Sequence, residues 1–259
     1  MADVDNTFLY LVGTAGSGKT RLTAAMQRWA IEHHLDAITV NLDPGAEQLP
    51  YNPDVDIREW IRLADIMEEH GLGPNGAQVV AADLLALRSG EVLDEIESFR
   101  TDYVLLDTPG QTELFVFREA GRHLVERLAP NRTALAFLVD PFLARSPSAF
   151  VSQMTLAATT QFRFQVPLLN VLTKADMLKE EDVERLQAWM ETPDLLREAL
   201  DADQKGMATQ LGRGLLGLLE DFGTYTRLTP VSSESFAGID DVYAFAQQAF
   251  AAGEDPETR

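Results

Sequence analysis

Short apolar runs that lack polar alternation recur along the chain: Phe8 to Val12, Ala37 to Leu42, Tyr103 to Leu106, Thr133 to Val139 and Pro167 to Leu172. Strands of this kind are buried on both faces, as in a parallel sheet covered by helices. Stretches with helical periodicity lie between them. Lys19 to about His33 is predicted as a helix with apolar positions Leu22, Ala25, Met26 and Trp29. Asp56 is placed to cap a helix from Ile57 to about Glu69, closed by Gly71, and weaker patterns cover Ala77 to Leu87 and Glu91 to Phe99. Leu211 to Leu219 reads as an amphipathic helix, Tyr225 to Val231 as a last strand, and Ile239 to Phe250 as a closing helix. The alternation predicts an α/β fold with a mostly parallel central sheet in three layers. It is expected as one domain over residues 1–251, with a helical insertion at about 56–100 and a polar tail at 252–259. Crossovers of the usual hand put the loops after the strands on one rim, where open sheets bind ligands.

Composition narrows the class. Apolar residues make up 46% and charged residues 24%, the balance of a globular protein. No charge-free apolar run reaches the roughly 20 residues of a membrane span, and Met1 to Phe8 lacks the basic region of a secretory signal. Cysteine is absent, which excludes disulfides, thiol catalysis and cysteine-ligated metals. A cytoplasmic location is expected. The net charge is -20, and only four lysines stand among the 21 basic residues. With no clustered basic run, direct nucleic-acid binding is not expected. Self-repulsion on this scale suits a high-salt interior, where ions screen it; an ordinary acidic cytosolic protein is the alternative.

The candidate chemistry sits at the strand ends. Gly13-Thr14-Ala15-Gly16-Ser17-Gly18-Lys19-Thr20 fits the phosphate-loop pattern, with a strand before it and a helix after it. Backbone N–H groups of Gly13, Ala15, Gly16, Ser17 and Gly18 are expected to converge on phosphate oxygens. Lys19 is expected at the β- and γ-phosphates and the Thr20 hydroxyl on Mg²⁺. This loop implies a nucleotide but does not choose between ATP and GTP.

Asp107-Thr108-Pro109-Gly110-Gln111 follows another strand. Asp107 is a candidate for holding Mg²⁺ through water, and the Gly110 N–H for sensing the γ-phosphate. Gln111 and Glu113 are candidates for orienting the attacking water. Asp43 closes a neighbouring strand and is a candidate for the metal or the lytic water. Standing alone, these would be ordinary turn residues.

Thr173-Lys174-Ala175-Asp176 ends a later strand. Guanine presents an N1–H and an amine side by side, which one carboxylate accepts together; adenine has no such pair on that edge. Asp176 is therefore the candidate base reader, with Lys174 covering the flat base. Ser232 and Ser233 follow the last strand and are candidates for backbone contacts to the guanine oxygen.

Together these motifs resemble the GPN-loop GTPases, a dimeric branch of the phosphate-loop GTPases with the three-layer P-loop NTPase fold. The name-giving tripeptide stands as Gly73-Pro74-Asn75, and Asn41-Leu42-Asp43-Pro44, Tyr51 to Arg58 and Asp107 to Glu113 add to the likeness. It covers Phe8 to about Phe250, and the compact length resembles the simpler archaeal-type members. The resemblance implies GTP hydrolysis to GDP with Mg²⁺, with Thr20, Asp43, Asp107, Gln111 and Glu113 at the metal and catalytic positions. It also implies a homodimer in which Asn75 reaches the partner's site. Read from its own residues, Gly73-Pro74-Asn75-Gly76 is a rigid turn presenting an amide. Three departures stand out: Gly45 for alanine, Thr173 for asparagine with a weaker loop brace, and Thr14 where related ATPases carry lysine. No arginine finger is assigned, Arg58 and Arg118 being candidates because they flank the switches. The rival readings are a phosphate-loop kinase for a small acceptor and a GTP-binding scaffold that assembles protein clients.

Overall fold

Strand β1 (Thr7–Gly13) shows how the sheet sorts its apolar residues. Phe8, Tyr10 and Val12 enter one buried cluster, while Leu9 and Leu11 enter another, because successive strand side chains leave on opposite faces. Both sets are buried, so the missing polar alternation reflects helices on two sides.

The computed structural model describes residues 6–128, 132–203, 206–221 and 227–251. Its other strands are β2 (Ala37–Asn41), β3 (Val55–Asp56), β4 (Tyr103–Asp107), β5 (Thr133–Val139), β6 (Leu168–Leu172) and β7 (Leu228–Pro230). They form one sheet in the order β3-β2-β4-β1-β5-β6-β7. Every pairing is parallel, a stricter arrangement than the mostly parallel sheet expected. The register sets Leu11 beside Asp107 and Gly13 beside Leu138, so the loops after β1, β4 and β5 leave at one level.

Helices α1 (Lys19–Glu32), α2 (Leu63–His70), α3 (Pro74–Ser98), α4 (Thr112–Val116) and α5 (Glu119–Arg127) precede β5. Helices α6 (Pro147–Phe164), α7 (Glu180–Glu191), α8 (Pro193–Ala202), α9 (Met207–Asp221) and α10 (Ile239–Ala251) follow it. Among the described residues, α1 and α10 are the helices that cover the Leu9 and Leu11 face. There Tyr243 stacks on Trp29 and donates its hydroxyl to Met26 O at 3.1 Å. The remaining helices cover the opposite face and complete the third layer. Among the described residues no helix is long and apolar enough to cross a membrane.

Two helix expectations need correction. Asp56 closes the edge strand β3 and caps only the 3-10 turn Ile57–Glu59; the helix restarts at Leu63. The cause is Arg58, whose guanidinium folds back onto both Asp56 oxygens and onto Ala46 O at 2.8 Å, committing the segment to a tight turn. Conversely, the two weak patterns beyond Gly76 are one 25-residue helix, α3, running through Ser89 and Gly90. The Ser89 hydroxyl donates back to Ala86 O, and Ala81, Leu85, Val92 and Ile96 anchor the helix on the core. Near its far end, Phe99 O accepts from Asn6 at 3.4 Å, at the sheet rim opposite the phosphate loop. The start of the expected last strand at Tyr225 and the polar tail lie outside the described residues.

Candidate functional site

Gly16 (φ 78°) and Gly18 (φ 99°) take left-handed backbone conformations that let the loop after β1 curl into the start of α1. Gly18 caps that helix, and no acidic side chain stands in its first turn, leaving the N–H groups for an anion. The buried Thr14 and Ser17 hydroxyls have no protein hydrogen-bond partner. Lys19 is buried, its ammonium donating to Gly13 O at 2.7 Å, Thr14 O at 3.1 Å and Gly110 O at 3.2 Å. Burial brings its pKa down to about 8, while the nearby Asp107 and Asp43 charges favour the proton.

Asp107 ends β4 almost wholly buried. Tyr51, itself buried, donates its hydroxyl to Asp107 Oδ2 at 3.0 Å, and Oδ1 has no hydrogen-bond partner. Burial pushes the Asp107 pKa up to about 6, against the pull of the Thr20 and Tyr51 hydroxyls and the Lys19 charge. A buried carboxylate oxygen without a donor, beside the Thr20 hydroxyl, fits a hard cation such as Mg²⁺. Among the described residues no cluster of His, Cys, Asp or Glu would hold a metal alone. An ion here would share its coordination with phosphate and water, as Mg²⁺ commonly does.

Asp43 joins the loops after β2 and β4. Its Oδ1 accepts from the Gly45 N–H at 2.8 Å and its Oδ2 from the Gly110 N–H at 3.1 Å. Asn41 fixes this loop from behind, its Oδ1 accepting from Asp43 N and its Nδ2 donating to Asp43 O and Asp56 Oδ1.

The base-reading motif is tied directly to the phosphate loop. Thr173 donates its hydroxyl to Ser17 O at 2.8 Å, with Val139 O at 3.2 Å. Threonine thus still supplies a brace between the two loops at the position where asparagine is common. Lys174, in a left-handed conformation, donates to Gly16 O at 2.8 Å and Asp140 Oδ2 at 2.9 Å, so its methylenes span the gap. Asp176 stands in the 3-10 turn Ala175–Met177, exposed, with no protein donor on its carboxylate among the described residues.

A cavity of about 470 Å³ collects Gly16, Gly18, Lys19, Thr20, Asp43, Gly110, Thr173, Lys174, Asp176 and Ser233 from the expected set. Gly13 and Ser17 are buried and Ala15 stands exposed on the loop, and none of the three lines the cavity. Ser232 turns inward: its hydroxyl accepts from the N–H groups of Glu234 and Ser235, and its own N–H donates to Ala237 O. Gln111 and Glu113 line a separate cleft with Asp83, Phe117 and Arg118. Neither arginine candidate lines the cavity; Arg58 is held by Asp56, and Arg118 pairs with Asp83 at 2.8 Å. Asn75 is exposed in the first turn of α3 and also lies outside the cavity.

The sequence reading missed Tyr51, Asn41 and Asp140 as supports for Asp107, Asp43 and Lys174. Asp140-Pro141 offered a signal, because it ends a buried strand as the other site carboxylates do. Tyr51 offered none, since its loop position does not reveal contact with Asp107.

Residues 11–252 match the family model described as "Conserved hypothetical ATP binding protein". A GPN-loop GTPase of Pyrococcus abyssi is 34% identical over 241 residues, covering 92% of this chain and 94% of the relative. GPN-loop GTPase 1 of Dictyostelium discoideum is 32% identical over 238 residues, and the match spans 91% of this chain but 59% of that longer protein. The apo crystal structure of the Pyrococcus abyssi GTPase superposes with a TM-score of 0.85 at 32% identity, covering 94% of this chain and 97% of that one. The chain belongs to the GPN-loop GTPase family.

Proposed function

We propose that the protein binds GTP with Mg²⁺ and hydrolyses it to GDP and phosphate, acting as a nucleotide-dependent switch. The observation that carries this reading is the joining of phosphate loop and base motif in one cavity by the Thr173 to Ser17 hydrogen bond. The family description names ATP, whereas the named relatives are GTPases. Asp176 favours guanine, because an unpaired carboxylate at the rim suits two adjacent donors.

Thr20 and Asp107, with Asp43 beside them, would hold Mg²⁺, whose chemistry is to neutralise charge on the β- and γ-phosphates. The Lys19 ammonium would exchange its carbonyl partners for phosphate oxygens. Asp43 is the carboxylate best placed to orient water, since it lines the cavity next to Gly110. Gln111 and Glu113 would take part only if α4 moved toward the cavity.

The exposed amide of Asn75 supports a homodimer in which Gly73-Pro74-Asn75 completes the partner's site. Gln78, one turn along α3, lies beside Gly45 of the Asp43 loop, so the GPN turn stands at the rim. Phosphate release from GTP and ATP, for the wild type and Asp176→Ala, tests the core reading. GTP should be preferred, and the variant should lose the preference; equal use of ATP by the wild type would refute the base assignment. Asn75→Ala should lower turnover and recover it on mixing with wild-type subunits.

A further inference from the structure

Among the described residues three cations line the nucleotide cavity, and two are already committed to the protein. Lys19 donates to three backbone carbonyls, and Lys174 to Gly16 O and the Asp140 carboxylate. The third, Arg21, has only a loose partner: its guanidinium stands 3.8 Å from Glu234, beyond hydrogen-bond range, and the two side chains are 77% and 75% exposed. Pairs so exposed contribute little by themselves. Both residues nevertheless line the cavity, on opposite elements. Arg21 follows Thr20 on the first turn of α1, next to the groups that face the β- and γ-phosphates. Glu234 follows Ser233 beside the base pocket. The part of a nucleotide lying between these ends is the ribose and α-phosphate.

We propose that Arg21 binds the α-phosphate and ribose end of the nucleotide and that Glu234 competes for the same guanidinium, setting how tightly nucleotide is held. This rests on the nucleotide-binding reading and assigns it a residue outside the phosphate loop and the base motif. The guanidinium has a planar fork of donors matched to phosphate oxygens. The need for it is electrostatic: a chain of net charge -20 repels a polyanionic nucleotide, and an exposed cation at the mouth offsets that field locally. Because GDP and GTP share this end, Arg21 acts on both alike and does not read the γ-phosphate.

Calorimetry with GDP, GTP and guanosine on the full chain tests the proposal through variants of opposite sign. Arg21→Ala should weaken GDP and GTP by the same factor, about 5- to 20-fold, and affect guanosine, which has the ribose but no phosphate, far less. Glu234→Gln should tighten both nucleotides by about 2- to 5-fold by releasing the guanidinium, an effect that vanishes in the Arg21→Ala background. Unchanged GDP affinity in Arg21→Ala would overturn the proposal. Weakening by Glu234→Gln as well as by Arg21→Ala would also overturn it, marking the pair as a structural strap. A wild type that binds no guanine nucleotide would instead refute the underlying reading.

Discussion

The Asp43 carboxylate accepts the Gly110 backbone N–H at 3.1 Å, so the amide expected to sense a γ-phosphate is held by a side chain. A phosphate oxygen and this carboxylate compete for one donor. GTP entry would therefore free Asp43 at the moment a water must be oriented. Asp43→Ala should cut single-turnover GTP hydrolysis by about 100-fold or more. GTP affinity should be kept or improved, because the competitor is gone. Equal losses of affinity and hydrolysis would show that Asp43 acts through the metal or the fold of the loop instead of through the water.

A two-limbed pH dependence follows from Asp107 and Lys19. The Asp107 pKa of about 6 lies above its ordinary 3.8, so the folded state holds that proton more tightly. Its contribution to stability falls as pH rises between those values, and the cost persists above them. The Lys19 pKa of about 8 lies below its ordinary 10.5, so its burial cost is full below 8 and fades as pH rises toward 10.5. Mg²⁺ needs Asp107 charged and phosphate needs Lys19 charged. The kcat/KM for GTP should rise through about pH 6 and fall beyond about pH 8, since it reports the free enzyme. A profile flat across the acid limb would remove Asp107 from the metal site.

Tyr51→Phe isolates the hydroxyl on Asp107 Oδ2. Losing one buried hydrogen bond to a carboxylate should cost about 1–3 kcal/mol in urea unfolding. Because that bond favours the charged form, its removal should also move the acid limb to higher pH. An unmoved limb would show that the carboxylate does not feel the hydroxyl.

Base recognition can be reversed chemically. Xanthine carries a carbonyl where guanine has its amine, so Asp176→Asn should weaken GTP and strengthen xanthosine triphosphate, shifting their affinity ratio by about 100-fold. Asp140→Ala acts differently: it releases Lys174 from its 2.9 Å anchor and should weaken GTP and xanthosine triphosphate equally, by about 10-fold. Competition binding with the two nucleotides separates these outcomes.

The sequence reading reached the buried strands and their ends because burial on both faces leaves an unbroken apolar run, as in Thr133–Val139. It also placed residues of the cavity where a motif follows a strand, at the ends of β1, β2, β4, β6 and β7; the end of β5, with Asp140, carries none. It fell short where a remote contact decides the outcome. The bend at Arg58 depends on Ala46 O, and the brace from Thr173 depends on Ser17 O, neither of which is local in sequence. The continuity of α3 was hidden by Ser89-Gly90, whose poor helix propensity is outweighed by core packing on both sides.

That continuity has a mechanical consequence. At 1.5 Å per residue, α3 is a rod about 37 Å long, with one end at the Asp43 loop and the other beside Asn6 at the far rim. A tilt of about 5° at its root displaces the far end by about 3 Å over this length. Were α3 to pivot as one rigid body near Gly45, an adjustment of a few tenths of an ångström there would grow roughly tenfold at the opposite edge.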